Sequence, residues 1–313
     1  MESSCYFTSS RGLLKSCGMR NALPVSSSAS IDADLLRNCD HANTIYLCTD
    51  SISNFSDNYL HKIVNSFKLV TGDSDTTIHN EFLAQKFARK ILEHPKLITW
   101  YAQNLVCTHP KLVQIPIGMD YHTMWERPGA WGLTRQSPIA QERTLINTFA
   151  NAPNFVERLF AGYCNWHFAI ERGDRRSCLE RIDKSICLIE ASHLPRISTW
   201  QRQAECMFVI SPEGAGIDCH RTWEAILLGC VPVLKRNGIS DLFNQLPVVI
   251  LNDWSEFNHT NMLQHVHRLQ QEKFNFNSLF AAYWQAKFLG ENDFNLPEMT
   301  MKEFKNFVCG NSF

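Results

Sequence analysis

The sequence has no run of about 18 apolar residues, so nothing in it has the length of a membrane-spanning helix. Its first stretch, Met1 to Cys17, lacks the basic start and apolar centre of an export signal, and the expectation is a soluble, cytoplasmic protein without a transmembrane segment. Charge of one sign is missing as well: Lys and Arg total 30 against 31 for Asp and Glu, which leaves no basic field for nucleic acid and no acidic tail. The 12 cysteines include no C-x-x-C pair, and Cys48 and Cys230 sit in apolar runs, a pattern of small buried hydrophobes in a reducing compartment rather than of a disulfide framework. His265 and His267 are two positions apart and Cys219 and His220 adjacent; neither spacing chelates well, and no metal site is expected. The P-loop pattern G-x-x-x-x-G-K-[ST] and the G-x-S-x-G elbow are both absent.

What is present suffices for two domains of about 150 residues each. The most informative stretch is Phe208 to Leu234 (FVISPEGAGIDCHRTWEAILLGCVPVL), which reads as strand, glycine-bearing loop, helix and second strand. Pro212 ends the first strand, Gly214 and Gly216 permit unusual angles and close approaches, and Asp218 stands where an N-cap acceptor is wanted. In the helix Trp223, Ile226 and Leu227 form an apolar stripe, and Gly229 falls at a left-handed C-terminal cap. Loops of this kind, at the carboxyl end of a parallel strand, are where open α/β sheets bind ligands, especially phosphates. Arg221 in the first turn suits a diphosphate better than it suits the helix dipole, and Glu224 can accept two ribose hydroxyls; three apart, the two also fit a plain surface pair.

Earlier in the chain, residues 1–43 have weak periodicity and a low-complexity patch at Ser26 to Ser30, expected as a surface loop. Thr44 to Thr49 is the first clear strand, Tyr59 to Phe67 has helical spacing, and Leu69-Val70 starts a strand that runs into Thr71 to Thr77 (TGDSDTT). Asp73 and Asp75 in that loop can share a divalent ion as a D-x-D pair, can supply a general base to a cleft, or can cap the next helix. An amphipathic helix is expected over Ile78 to Glu93, a strand over Leu97 to Ala102 with Asn104 just past its end, and another over Val113 to Ile117, closed by Gly118 to Asp120.

Trp125 to Arg143 lacks periodicity and reads as a linker, after which the fold restarts with a strand over Thr144 to Phe149 and a helix over Phe155 to Cys164. Arg158, in the first turns of that helix, can reach a phosphate or remain solvated surface. Trp166 to Arg202, most polar at Glu171 to Arg176, reads as solvated helices and loops around one strand near Ile186 to Ile189. A last strand over Leu246 to Leu251 and helices near Asn261 to Glu272, Asn277 to Leu289 and Met301 to Val308 complete the chain. The expected architecture is α/β: two Rossmann-like domains facing a cleft, over 1–142 and 143–285, with residues 286–313 packing back on the first.

Gly214-x-Gly216-x-x-Cys219 lacks the third glycine of the dinucleotide fingerprint. The run from Phe208 to Lys235, followed by DLFNQLPVVILNDWSEF, instead resembles the nucleotide-sugar-binding half of exostosin-like glycosyltransferases, glycosyltransferase family 47 and its GT-B relatives. VTGDSD, LITWYAQN and VQIPIGMD look like the acceptor-side half of soluble viral or bacterial members, so the resemblance covers most of residues 44 to 257. It implies transfer of a sugar, with inversion and no essential cofactor or metal, from a UDP- or GDP-linked donor to a hydroxyl of a glycan or glycoprotein. It assigns the ribose to Glu224 and the diphosphate to Arg221, with Ser211, Gly214 and Gly216 beside the phosphates and Asn147, Asn151 and Arg158 lining the donor cleft. On the acceptor side Asn104 and His79 are expected, with Asp75 or Asp73 as the base that takes the acceptor proton and Asp120 behind them. Animal exostosins are membrane-anchored in the secretory pathway, a departure that separates this chain's expected compartment, the cytoplasm, or a host's if viral, from theirs. The alternatives carried from the sequence are a metal-dependent D-x-D transferase and a non-catalytic nucleotide- or sugar-binding module.

Overall fold

The computed structural model describes residues 2–32, 35, 43–127, 129, 134–291 and 293–310. Parts of the expected first surface loop and of the expected linker lie outside the described residues. The β-branched and aromatic runs of the first half form a parallel four-stranded sheet in simple sequence order, β1 (Thr44–Cys48), β2 (Phe67–Gly72), β3 (Leu97–Ala102) and β4 (Leu112–Gln114). β4 stops short of the expected Ile117; Pro116, two residues beyond its end, has no N–H to give a ladder.

The amino-terminal residues depart from expectation. Ser9 caps α1 (Ser10–Lys15) by accepting from Gly12 N, and Phe7, Leu13, Leu14, Cys17 and Met19 are buried rather than looped on the surface. The segment is threaded between distant parts of the chain: Thr8 N donates to Leu279 O at 2.7 Å, and Met119 N donates to Thr8 O at 2.8 Å. Gly118, at φ 66°, permits that crossing, because a Cβ there would stand 2.2 Å from Thr8 O. Helical turns also fall earlier than the Tyr59 to Phe67 pattern suggested, in α2 (Ile52–Asn58). The long helix expected over Ile78 to Glu93 is two short ones, α3 (Asn80–Leu83) and α4 (Lys86–Leu92), separated by an extended Gln85.

After α5 (Thr123–Glu126), the expected linker and strand prove to be one helix, α6 (Pro138–Asn151), begun by the Ser137 cap and Pro138. Its buried residues Pro138, Gln141, Glu142, Leu145 and Phe149 follow a helical period that the strand-like TLINTF conceals. The helix expected over Phe155 to Cys164 is in turn a strand, β5 (Leu159–Cys164). Gly162 belongs there because a Cβ would meet Phe257 at 2.6 Å and Ile210 at 2.7 Å.

The remaining elements match the sequence closely: α7 (Arg175–Arg181), β6 (Cys187–Ile189), α8 (Arg196–Ala204), β7 (Cys206–Ile210), α9 (His220–Leu227), β8 (Val231–Lys235) and β9 (Val249–Leu251). The second sheet is parallel, ordered β6-β5-β7-β8-β9. Trp223, Ile226 and Leu227 of α9 are buried against it, each such side chain contributing about 1.5–3 kcal/mol. Gly229 ends that helix at φ 70°.

Helices α10 (His259–Gln271), α11 (Ala281–Leu289) and α12 (Met301–Gly310) close the fold. α11 lays Trp284 and Phe288 on the first sheet beside Tyr46, Val70 and Tyr101, and Lys68 Nζ caps its carboxyl end at Phe288 O, 2.8 Å away. α12 instead packs on α6 in the second half, with Phe304 stacked on Phe276 at 3.8 Å. Every described cysteine is free, and among the described residues no helix is long and apolar enough to cross a membrane.

Candidate functional site

Strand order locates the site. From β5 the chain moves outward to β6, and from β7 it moves the other way to β8, so the loops after β5 and β7 diverge and leave a crevice at their carboxyl ends. Facing the β7 loop are the carboxyl-end loops of the first sheet. Asn104 Nδ2 donates to Ser74 O at 3.0 Å while its Oδ1 accepts from Asp218 N at 3.1 Å, so this one amide joins both halves. Asp73 (φ 56°) and Asn104 (φ 54°) both sit in the left-handed region, which asparagine and aspartate tolerate better than other side chains.

Gly214 and Gly216 act through close approach alone, neither having a positive φ. A Cβ on Gly216 would stand 3.1 Å from Asp75 Oδ1 and 3.2 Å from Asn104 Nδ2; one on Gly214 would stand 3.2 Å from Cys219 Sγ. Asp218 is not the cap of α9: Cys219 occupies that position without a side-chain bond. The Asp218 carboxylate is turned inward, accepting from Trp223 Nε1 at 2.9 Å and from Ile117 N at 2.8 Å. Burial, only partly offset by the hydrogen bonds from Ile117 and Trp223 and by His220, pushes its pKa up to about 6.

The two acids of the D-x-D loop differ in kind. Asp73 is buried and ion-paired to Arg11 of α1 at 2.9 Å. Asp75 is exposed, and no hydrogen bond or ion pair to it forms among the described residues. With one carboxylate already neutralised by a guanidinium, the pair does not make a good chelate for a divalent ion.

Glu224 lies away from the crevice. Its carboxylate is buried, ion-paired with Arg196 and accepting from Trp200 Nε1 at 2.9 Å, so the ribose role that the resemblance gives it has no exposed oxygen to act through. Asp120 is in the same cluster, 3.3 Å from Arg196 Nη1 and 3.2 Å from His122 Nδ1. Burial alone would raise the Asp120 pKa, but Arg196 foremost, then His220 and His122, hold it well below the usual carboxylate range. Asp120 is therefore a committed anion rather than a reserve base.

Ser211 is internal, sharing a hydrogen bond with Thr222 Oγ1 at 2.8 Å and accepting from Arg221 Nε at 3.1 Å. Arg221 spreads along the Ser211-Pro212 backbone at the crevice. Arg158 is elsewhere: buried at the amino end of the second sheet, it donates to Leu228 O at 2.9 Å and Pro153 O at 3.1 Å and so closes the carboxyl end of α9. Asn147 and Asn151 are on α6 beside a separate cavity of about 370 Å³ that also touches Pro153 and Glu205, at the same amino end. The expected strand over Thr144 to Phe149 had pointed them the wrong way. His79 is an exposed cap that accepts from Phe82 N at 3.2 Å.

The structure thus brings together Asp75, Asn104, Gly214, Gly216 and Arg221, and it adds Arg175, which reaches the Gly214 backbone from the other side of the crevice. No protein-family model matches the chain, and no curated protein matches it.

Proposed function

We propose that this protein is an inverting glycosyltransferase of GT-B-like build, with its donor, a UDP- or GDP-linked sugar, at the crevice of the second sheet. The acceptor, a hydroxyl of a glycan or glycoprotein, comes from the side of the first sheet. The observation that carries the reading is the unpaired Asp75 carboxylate set against Gly216 of the switch-point loop, with Arg221 on the helix that follows. In this reading Asp75 takes the acceptor hydroxyl's proton as the acceptor oxygen bonds to the anomeric carbon and the bond from that carbon to the diphosphate breaks. Arg221 stabilises the charge that gathers on the departing diphosphate. Asp73, held by Arg11, orients the loop and leaves the proton transfer to its neighbour.

Purified protein assayed for sugar transfer from a panel of nucleotide sugars tests this. Asp75→Asn should lower turnover at least about 100-fold with an unchanged melting temperature, and full activity in that variant would remove Asp75 as the base. A second reading, a non-catalytic nucleotide-binding module, draws on the internal position of Glu224. Binding of nucleoside diphosphates without transfer or donor hydrolysis by the wild type would favour it.

A further inference from the structure

The switch-point crevice holds two guanidinium groups, neither of them ion-paired among the described residues, while its unpaired carboxylate, Asp75, lies against Gly216. Arg221 donates through Nε to Ser211 Oγ at 3.1 Å and through Nη2 to Pro212 O. Arg175, on the loop-to-helix connection after β5, lies on the other flank: its Nη2 would be 3.4 Å from a Cβ at Gly214. Its Nη1 donates to Trp166 O at 3.2 Å and Ala169 O at 3.3 Å, its Nε is buried without a hydrogen-bond partner, and Gly173 at φ 55° lets the connection close down on Glu213. Neither arginine forms an ion pair among the described residues.

The nearby acids other than Asp75 are committed elsewhere. Asp174 pairs with Lys235 at 3.0 Å and accepts from Trp254 Nε1 and Glu213 N. Glu213 accepts from Asn237 Nδ2, and Glu171 pairs with Arg176. Asp218 faces Trp223 and Ile117. Two like charges flanking one four-residue backbone segment, both partly withdrawn from water, are unfavourable by themselves. Burial first, and then Arg221, draw the Arg175 pKa down to about 10, in keeping with cations that lack an anion between them.

We infer that Arg175 and Arg221 together bind a pyrophosphate group lying along Ser211–Gly214. Two separated forks match the two charged phosphates of a diphosphate ester better than one phosphate, since each fork can take non-bridging oxygens of its own phosphate. The glycines then let the chain approach oxygens that a side chain would hold away. This rests on the switch-point crevice being the ligand site of the proposed function, and it adds to that reading the partner for Arg221 that the sequence does not single out.

Titration calorimetry with inorganic pyrophosphate, orthophosphate, UDP, GDP and UMP at two salt concentrations tests the site. Pyrophosphate and at least one nucleoside diphosphate should bind at least tenfold more tightly than orthophosphate and UMP. Arg175→Gln should weaken both at least tenfold and flatten the salt dependence, while Arg175→Lys, which keeps charge and loses the fork, should fall between. Because Arg175 also holds the Trp166 and Ala169 carbonyls, melting temperatures are measured for both variants; if the glutamine variant does not fold, an Arg175→Lys protein binding pyrophosphate as tightly as wild type overturns the inference. Folded Arg175→Gln with undiminished diphosphate binding overturns it too, and leaves the transferase reading standing. Arginine-dependent pyrophosphate binding with no transfer from any donor does the reverse: the site holds and the transferase reading falls. A wild type that prefers no diphosphate over orthophosphate removes both.

Discussion

Two clusters of charge draw on α9, one through Glu224 and the other through Arg221, and they are built on opposite rules. Around Arg196 one guanidinium is shared by Asp120 and Glu224, all three side chains less than a tenth exposed, with His122 and Trp200 supplying further contacts. Around Gly214 two guanidiniums flank one backbone segment without an ion pair, and Asp174 and Glu213 are turned to other partners. In the first cluster each carboxylate is paired with a guanidinium, and the cluster bridges Asp120 of the first half to α8 and α9 of the second. The second is incomplete without an anion. The contrast teaches that a buried charged residue in this fold is informative about ligands only once its partners have been counted, because Glu224 and Arg221, three residues apart on one helix, fall on opposite sides of that count.

The contrast can be broken most forcefully at Arg196. Arg196→Ala strands two buried carboxylates and should destabilise the protein by about 3–5 kcal/mol in urea unfolding; a loss under about 1 kcal/mol would mean the cluster is hydrated and the distinction false. Asp218 is the next test, an interior acid with donors but no ion pair among the described residues. Its raised pKa means that the native state holds the proton more tightly, so its stabilising contribution is complete below the ordinary 3.8 and disappears as pH rises through about 6. Between those values the wild type should lose up to about 3 kcal/mol that Asp218→Asn does not lose. Parallel pH–stability curves for the two proteins would contradict this. The smallest stability effect belongs to the incomplete cluster: Arg221→Gln should change unfolding by less than about 1 kcal/mol while weakening nucleoside diphosphate binding at least tenfold. A large loss of stability with intact binding would move Arg221 into the structural class beside Arg196.

Much of the frame is legible from pattern alone. The apolar runs of β1 to β3 and the strand, loop, helix and strand from Met207 to Leu234 fall where composition and glycine placement put them. The exchange of helix and strand between residues 144 and 164 has a local cause: TLINTF is β-branched enough to imitate a strand, and the helix-like spacing of FVERLFAGYC hides the demand for a glycine beneath Phe257. At the amino terminus, TSSRGLL looks too polar to be interior, but Thr8 and Ser9 are held by backbone crossings with residues near 118 and 279 that no local pattern announces. The site divides in the same way. Asp75, Arg221 and the glycines follow from loop chemistry, whereas the inward turn of Glu224 is set by Arg196, 28 residues upstream in a stretch that reads as solvated. Arg175 belongs to that stretch as well.

The threading of Phe7 to Ser9 between Gly118 and Phe280 has a consequence for how the protein is made. Thr8 bonds Ser278, 270 positions further along, so at ribosomal speed about 14–54 s separate the synthesis of the two partners. Over that interval the segment can meet Tyr46, Val70 and Gly118 but not Phe280, so its threading is completed only when the carboxyl-side residues are made.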